Sequence, residues 1–182
     1  SGGLLWPEGE PNVERFWPEK KKREEKKVLP KRMSPELAFV LGFLVAEGTI
    51  YPNELEFCNS DLSVIEAFEK NWKKVFPDCR LHKFEREPSS YGRKKYFTLE
   101  VHSHFVMRFL RNLGLEPVKS PLRKVPHVIF VSPKKSVAQF LQAYFEGDGT
   151  ITSSKRKMVE LSAISKSEQL LNQIQIILLR FG

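Results

Sequence analysis

From residue 34 onward the apolar positions fall into alternating helical and strand periods. Ser34-Pro35-Glu36 supplies an N-cap, a first-turn proline and an acidic first turn, and an apolar run follows from Leu37 to Ala46. Gly48 reads as the C′ residue that ends this helix. A helix that is apolar all round must be buried on most of its faces. Short strands are expected at 49–52 and 54–59, turning near Pro52-Asn53. Asp61 predicts the cap of a second helix to about Phe76, with Leu62, Ile65, Phe68, Trp72, Val75 and Phe76 on its apolar face. Two strands, 79–87 and 94–102, flank a turn at Pro88–Gly92. A helix over 103–113 ends at Gly114. A basic, proline-punctuated connector fills 115–133, and a further helix spans about 134–147. Residues 1–18 have no clear period. Residues 19–32, EKKKREEKKVLPKR, read as a solvated helix or a flexible arm, serving either as a linker or as a phosphate-contacting arm. Order is expected to begin at Ser34, giving a basic leader or linker over 1–33.

The second long helix restates the first. VLGFLVAEGTI at 40–50 aligns with LQAYFEGDGTI at 141–151, so Glu47 falls opposite Asp148. Downstream, 55–76 resembles 159–181 with one inserted residue, and Ser165 with Glu168 forms a capping box. The units divide as a first repeat over 34–132 and a second over 133–182. Two copies predict a pseudo-two-fold molecule. Gly42 and Ala46 lie four apart on one helix face, as do Ala143 and Gly147. Small residues in that spacing let two helix backbones approach closely. The two helices are therefore expected to pair.

Composition narrows the partners. Lys and Arg exceed Asp and Glu by a formal net +8, with pI ≈ 9.5, and the excess persists outside the lysine-rich stretch. A basic balance favours a polyanion such as nucleic acid. Two cysteines, Cys58 and Cys79, form neither a disulfide framework nor a zinc-type spacing, which points to an intracellular compartment. No apolar run approaches the roughly 20 residues of a membrane span. His102-x-His104, at a strand-to-helix junction, reads as an ordinary pair rather than a metal site.

The paired acids carry the candidate chemistry. Glu47 and Asp148 stand at the C-terminal ends of apolar helices, where the helix dipole opposes negative charge. If the helices pair, the two carboxylates also repel one another. A divalent cation relieves both problems, and hard oxygen ligands with open positions suit Mg²⁺, which also takes phosphate oxygens. Such a site can hydrolyse a phosphodiester.

VLGFLVAEG at 40–48 and LQAYFEGDG at 141–149 resemble the LAGLIDADG motif of homing endonucleases. The pattern is most similar to the two-motif, single-chain members found in archaeal inteins and introns. The resemblance covers about residues 35–182. It implies an α+β fold of two pseudo-symmetric αββαββα repeats joined at the paired motif helices, with Gly42, Ala46, Ala143 and Gly147 at the interface. The second repeat lacks counterparts of the strands at 79–102, so it is expected to be incomplete in this chain. The resemblance further implies sheets that lie along double-stranded DNA, a metal-dependent double-strand cut in a long target, and a monomer when both repeats are whole. Glu47 and Asp148 would hold Mg²⁺. A supporting basic residue falls at Arg123 or Lys124, before Pro126. Arg80, His82 and Arg86 on one strand face, Lys83 on the other, Arg93, Lys94 and Lys95 at the next strand, and Lys155, Arg156 and Lys157 at the second hairpin tip are the DNA-facing groups. The rival reading is a relative that binds DNA or RNA without cutting it, a maturase or a regulator. A membrane-surface role has no matching apolar face to support it.

Overall fold

The structure, a computed structural model, describes residues 6–88, 95–153 and 159–182. Its first helix, α1 (Pro35–Ala46), starts where Ser34 Oγ accepts the Leu37 N–H at 3.1 Å. Every residue from Leu37 to Ala46 is buried. Its C-cap is Glu47, and Gly48 is not in the left-handed region, so Gly48 is not a C′ glycine. What Gly48 provides is room: a Cβ there would press on the Leu44 backbone.

Strands β1 (Thr49–Ile50) and β2 (Glu54–Asn59) follow, then α2 (Leu62–Val75), β3 (His82–Arg86), β4 (Tyr96–His102) and α3 (His104–Asn112). Asp61 caps α2 by accepting the Ser63 N–H at 2.8 Å, and Ser103 caps α3. Gly114 ends α3 with φ 108°. The expected strands and helices exist, each one to three residues shorter at its ends, where fraying competes with capping. Leu62 is the exception on the α2 face: as the first helical residue it lies outside the packed turns and is 42% exposed.

The four strands form one antiparallel sheet in the order β1-β2-β4-β3. Alternation puts Leu55, Phe57, Leu99 and Val101 on the core face, all buried. A chain of rings then runs through the core. Phe43 of α1 meets Phe57 at 5.3 Å and Phe68 at 6.2 Å, Phe68 stacks on Trp72, and Trp72 meets Phe76. Aromatic pairs of this kind add to the simple area term.

A connector holding the short helix α4 (His127–Phe130) leads to α5 (Lys134–Asp148), strands β5 (Gly149–Ser153) and β6 (Val159–Ala163), and α6 (Glu168–Leu179). The cap of α6 is Ser167, which accepts the Leu170 N–H, and not Ser165, whose Oγ serves the turn by accepting from Ser167 N at 3.1 Å. The strand registers fix the repeat alignment. Thr49 pairs Glu56 and Thr150 pairs Ser162, so Asp61 corresponds to Ser167 and the second hairpin is longer than one inserted residue allows.

The leader is part of the fold. Val13, Leu29 and Met33 are buried, and Asn12 bridges Arg32. Residues 19–32 form neither a solvated helix nor a free arm: Lys22–Glu24 is a single 3₁₀ turn. The Glu24 carboxylate, 2% exposed, accepts from Arg108 of α3 at 2.7 Å and from Lys21 N at 2.9 Å. Burial pushes that carboxyl up, and these bonds outweigh it and hold it below its ordinary range. Order therefore begins well before Ser34. Among the described residues no helix is long and apolar enough to cross a membrane.

Candidate functional site at the paired helix ends

The most extensive contact between helices is that of α1 with α5. Its closeness follows from the absence of side chains. A Cβ on Gly42 would collide with the Phe140 carbonyl oxygen and come within 2.9 Å of the Ala143 Cβ. A Cβ on Gly147 would lie 2.7 Å from the Ala46 Cβ and 3.3 Å from the Glu47 Cγ. Gly42, Ala46, Ala143 and Gly147 thus share one seam. That seam delivers the ends of both helices, with Glu47 and Asp148, to the same place.

Each acid is half-buried and feels its neighbours. Burial pushes the Glu47 carboxyl up, the Asn59 amide bond pulls it back, and the Asp148 charge adds to the rise. Burial also raises Asp148, and Arg123 offsets part of it. A carboxyl raised in the folded state binds its proton more tightly there than in the unfolded chain. Its contribution to stability is therefore full below the ordinary carboxylate range and is lost as pH rises toward the shifted value. Glu47→Gln or Asp148→Asn should accordingly stabilise the metal-free chain at pH 7 by roughly 1 kcal/mol. Thermal unfolding in chelator checks this, and the gain should vanish near pH 3.

Arg123 does something the sequence did not suggest. Its guanidinium donates to the carbonyls of Val45 at 3.1 Å, Ala46 at 2.7 Å and Gly48 at 2.6 Å. It caps the negative end of α1 from a loop far along the chain, which lets an acid sit there. Lys124 beside it is exposed. The connector is fastened in turn, since the Arg123 carbonyl accepts from Ser167 Oγ at 2.6 Å.

The remaining site residues separate. His82 and Arg86 lie on the sheet face away from α1 and α2, with Phe84, Glu54, Glu56, Glu100 and His102. Arg86 pairs Glu100 at 3.0 Å, and His102 Nδ1 lies 3.0 Å from Glu54. Lys83 is on the opposite face beside Glu69 of α2, and Lys95 is held by Glu85 and Glu87. Arg80 is exposed ahead of β3. Arg93, Lys94, Lys155, Arg156 and Lys157 lie outside the described residues. Asn59 escaped sequence reasoning. Its Nδ2 donates to Glu47 Oε2 at 2.8 Å, while its Oδ1 accepts from Asp61 N at 2.7 Å. The Asn-Ser-Asp run before a helix was the available signal.

The donor set fits a hard cation. Two carboxylates converge, Gly147 leaves the space over the Glu47 carboxylate free of a Cβ, and no group of three His, Cys, Asp or Glu suited to a metal occurs among the described residues. Few protein ligands, with room for waters and phosphate oxygens, is the Mg²⁺ pattern.

Residues 135–182 match the model of the LAGLIDADG-like domain family. Curated relatives align over most of this chain. A glutamine–fructose-6-phosphate aminotransferase of Methanocaldococcus jannaschii is 26% identical over 156 residues, 84% of this chain and 13% of its own length. An A-type ATP synthase protein of Pyrococcus abyssi is 25% identical over 162 residues, 88% of this chain and 15% of its own length. A DNA gyrase protein of Mycobacterium gordonae is 27% identical over 145 residues, 80% of this chain and 26% of its own length. The chain thus spans about a quarter or less of each of these relatives. Among solved structures, the N-terminal LAGLIDADG domain of DUF199/WhiA superposes with a TM-score of 0.51 at 15% identity, covering 81% of this chain and 66% of that one. The chain is a mixed α+β structure with the fold of a LAGLIDADG domain, and its residues 135–182 match the LAGLIDADG-like domain family.

Proposed function

We propose that the chain is part of a site-specific, Mg²⁺-dependent DNA endonuclease of the homing type, encoded within an intein or intron. The observation that carries the reading is the delivery of Glu47 and Asp148 to one place by a seam with no room for side chains. Folding places two mutually repelling carboxylates together at helix C-termini, an arrangement that costs stability until a cation arrives. The relatives support the mobile setting. One segment recurs as a minor part of an aminotransferase, of an ATP synthase and of a gyrase, proteins whose names share no chemistry. A segment common to such hosts is an embedded module with its own activity.

Glu47 and Asp148 would hold the cation, one from each repeat. When bound, it supplies Lewis-acid activation of a phosphodiester. Asn59 fixes one oxygen of Glu47, Arg123 neutralises the end of α1, and Gly147 keeps the approach open. Arg and His on the outer sheet face suit guanine edges, and the Glu side chains beside them suit the cytosine amino group.

The second reading, a DNA- or RNA-binding protein without cleavage, draws on Arg123. Its donors are spent on α1 carbonyls, and an arginine does not act as a base. Both readings require nucleic-acid binding through many phosphate contacts. Affinity for duplex DNA should fall about 10³-fold or more between 50 and 200 mM salt. Incubation of the bound DNA with Mg²⁺ then separates the readings: a double-strand cut supports the nuclease, and intact DNA the binder. Affinity independent of salt would contradict both.

A further inference from the structure

The two repeats place similar acids but hold them differently. In the first, Asn59 stands at the end of β2, fixed by its own turn, and donates to Glu47 at 2.8 Å. The strand registers and helix caps put Ser165 in the place of Asn59. Ser165 keeps the turn, accepting from Ser167 N, but its hydroxyl is shorter than an amide. The second repeat differs at another point as well. Four residues before the acid, α1 has Phe43 and α5 has Tyr144, both rings fully buried. The Tyr144 hydroxyl has no hydrogen-bond partner among the described residues. A buried phenol ordinarily has one, so an orphan marks a partner that is not in place.

The geometry of a helix names that partner. Residues four apart lie on one face, and side chains lean toward the N-terminus, which brings the Asp148 carboxylate back toward Tyr144. The electrostatics agree: burial, and then the charge of Asp148, push the phenol up to about 12, so it remains a proton donor at any working pH. We infer that Tyr144 is the positioning residue of the second repeat, its hydroxyl held to donate to Asp148, directly or across one water, and so leave the other carboxylate oxygen for the cation. Asn59 does the same for Glu47 from the sheet. The inference rests on the reading of Glu47 and Asp148 as a cation-holding pair.

The test titrates Mn²⁺ alone into the chain and reads the free ion by electron paramagnetic resonance. The proteins are wild type, Glu47→Gln, Tyr144→Phe, Asp148→Asn and the Tyr144→Phe/Asp148→Asn double variant. Tyr144→Phe should weaken Mn²⁺ binding about 10- to 100-fold, the usual effect of removing a group that orients a ligand. It should unfold at a temperature no lower than wild type, because it removes an unpaired buried hydroxyl and restores the ring found at Phe43. In the Asp148→Asn background it should have no further effect, which a merely structural role would not produce. If Asp148→Asn weakens binding and Tyr144→Phe does not, Tyr144 is a core ring only and the inference is overturned. If neither Glu47→Gln nor Asp148→Asn changes binding, the cation-pair reading itself fails, and the inference with it.

Discussion

Replacing Glu47 by Gln, or Asp148 by Asn, should lower the rate of Mg²⁺-dependent DNA cleavage by about a thousand-fold or more, since each change removes a cation ligand and several kcal/mol of transition-state stabilisation. Affinity for the same DNA should stay within a few-fold of wild type in Ca²⁺ or chelator. The asymmetry follows from where the acids sit. They are half-buried at the ends of the seam and, without a cation, repel phosphate, so removing one charge does not weaken the phosphate contacts made elsewhere. Each single variant should also be slightly more stable than wild type when metal-free. A rise in stability with a collapse in rate is the signature of a site held against its own electrostatics. Single-turnover cleavage and filter binding on the same preparations check it. Loss of rate with a parallel loss of binding would mean that the substitutions disturb the seam and not the chemistry.

The second large effect is on the seam itself. Gly42→Ala adds one carbon, the mildest substitution available, at a point where that carbon meets the Phe140 backbone oxygen and the Ala143 Cβ. A carbonyl inside a helix cannot step aside as a flexible side chain can. Overpacking of this kind costs roughly 1–3 kcal/mol, and Gly42→Leu costs more. At this chain length about 3 kcal/mol corresponds to a fall in Tm of roughly 6–12 °C. Gly147→Ala should behave differently. Its Cβ presses on Ala46 and on the Glu47 side chain, so it should impair cation binding as well as stability. Leu44, one turn away from the seam residues, gives the contrast: truncating it opens a cavity without forcing the helices apart.

Why some of this was legible in the sequence and some was not has a physical basis. The seam was readable because close approach demands a specific, rare composition. Gly42, Ala46, Ala143 and Gly147 recur at matched positions on two helices, and few other structures would require it. The strands and caps were readable because alternation and Asp or Ser caps are local. The leader was not, because its anchoring uses isolated residues, Val13, Leu29 and Met33, and one buried ion pair with Arg108, none of which makes a period. Lysine-rich composition describes its exposed side and hides its buried one. Downstream of the second motif the repeat alignment slipped, because similarity of letters cannot place an enlarged hairpin loop, whereas strand register can. Arg123 reads in the sequence as a group beside the chemistry. Its donors instead cap α1, a long-range contact that no local pattern encodes. Asn59 and Tyr144 were missed for the same reason: each matters only once the acid it serves has been brought beside it.

The leader changes how the molecule should be handled. Arg108 donates to the Glu19 carbonyl and to Glu24, and Asn112 to the Phe16 carbonyl, so the segment before Ser34 is stitched to α3. Trp6 meets Phe181 edge-on at 4.8 Å, with Arg180 over the indole. Removing residues 1–33 would therefore strip buried surface from the first repeat and leave Arg108 without its partner.

The central claim is that Glu47 and Asp148 together hold one cation centre. The most direct measurement is anomalous diffraction from crystals of the chain bound to duplex DNA and soaked in Mn²⁺. The account predicts an anomalous peak between the ends of α1 and α5, within coordination distance of both carboxylates and of a backbone phosphate. A Mn²⁺ peak bound elsewhere on the complex, with Glu47 and Asp148 free of metal while DNA lies against the sheet, would contradict it.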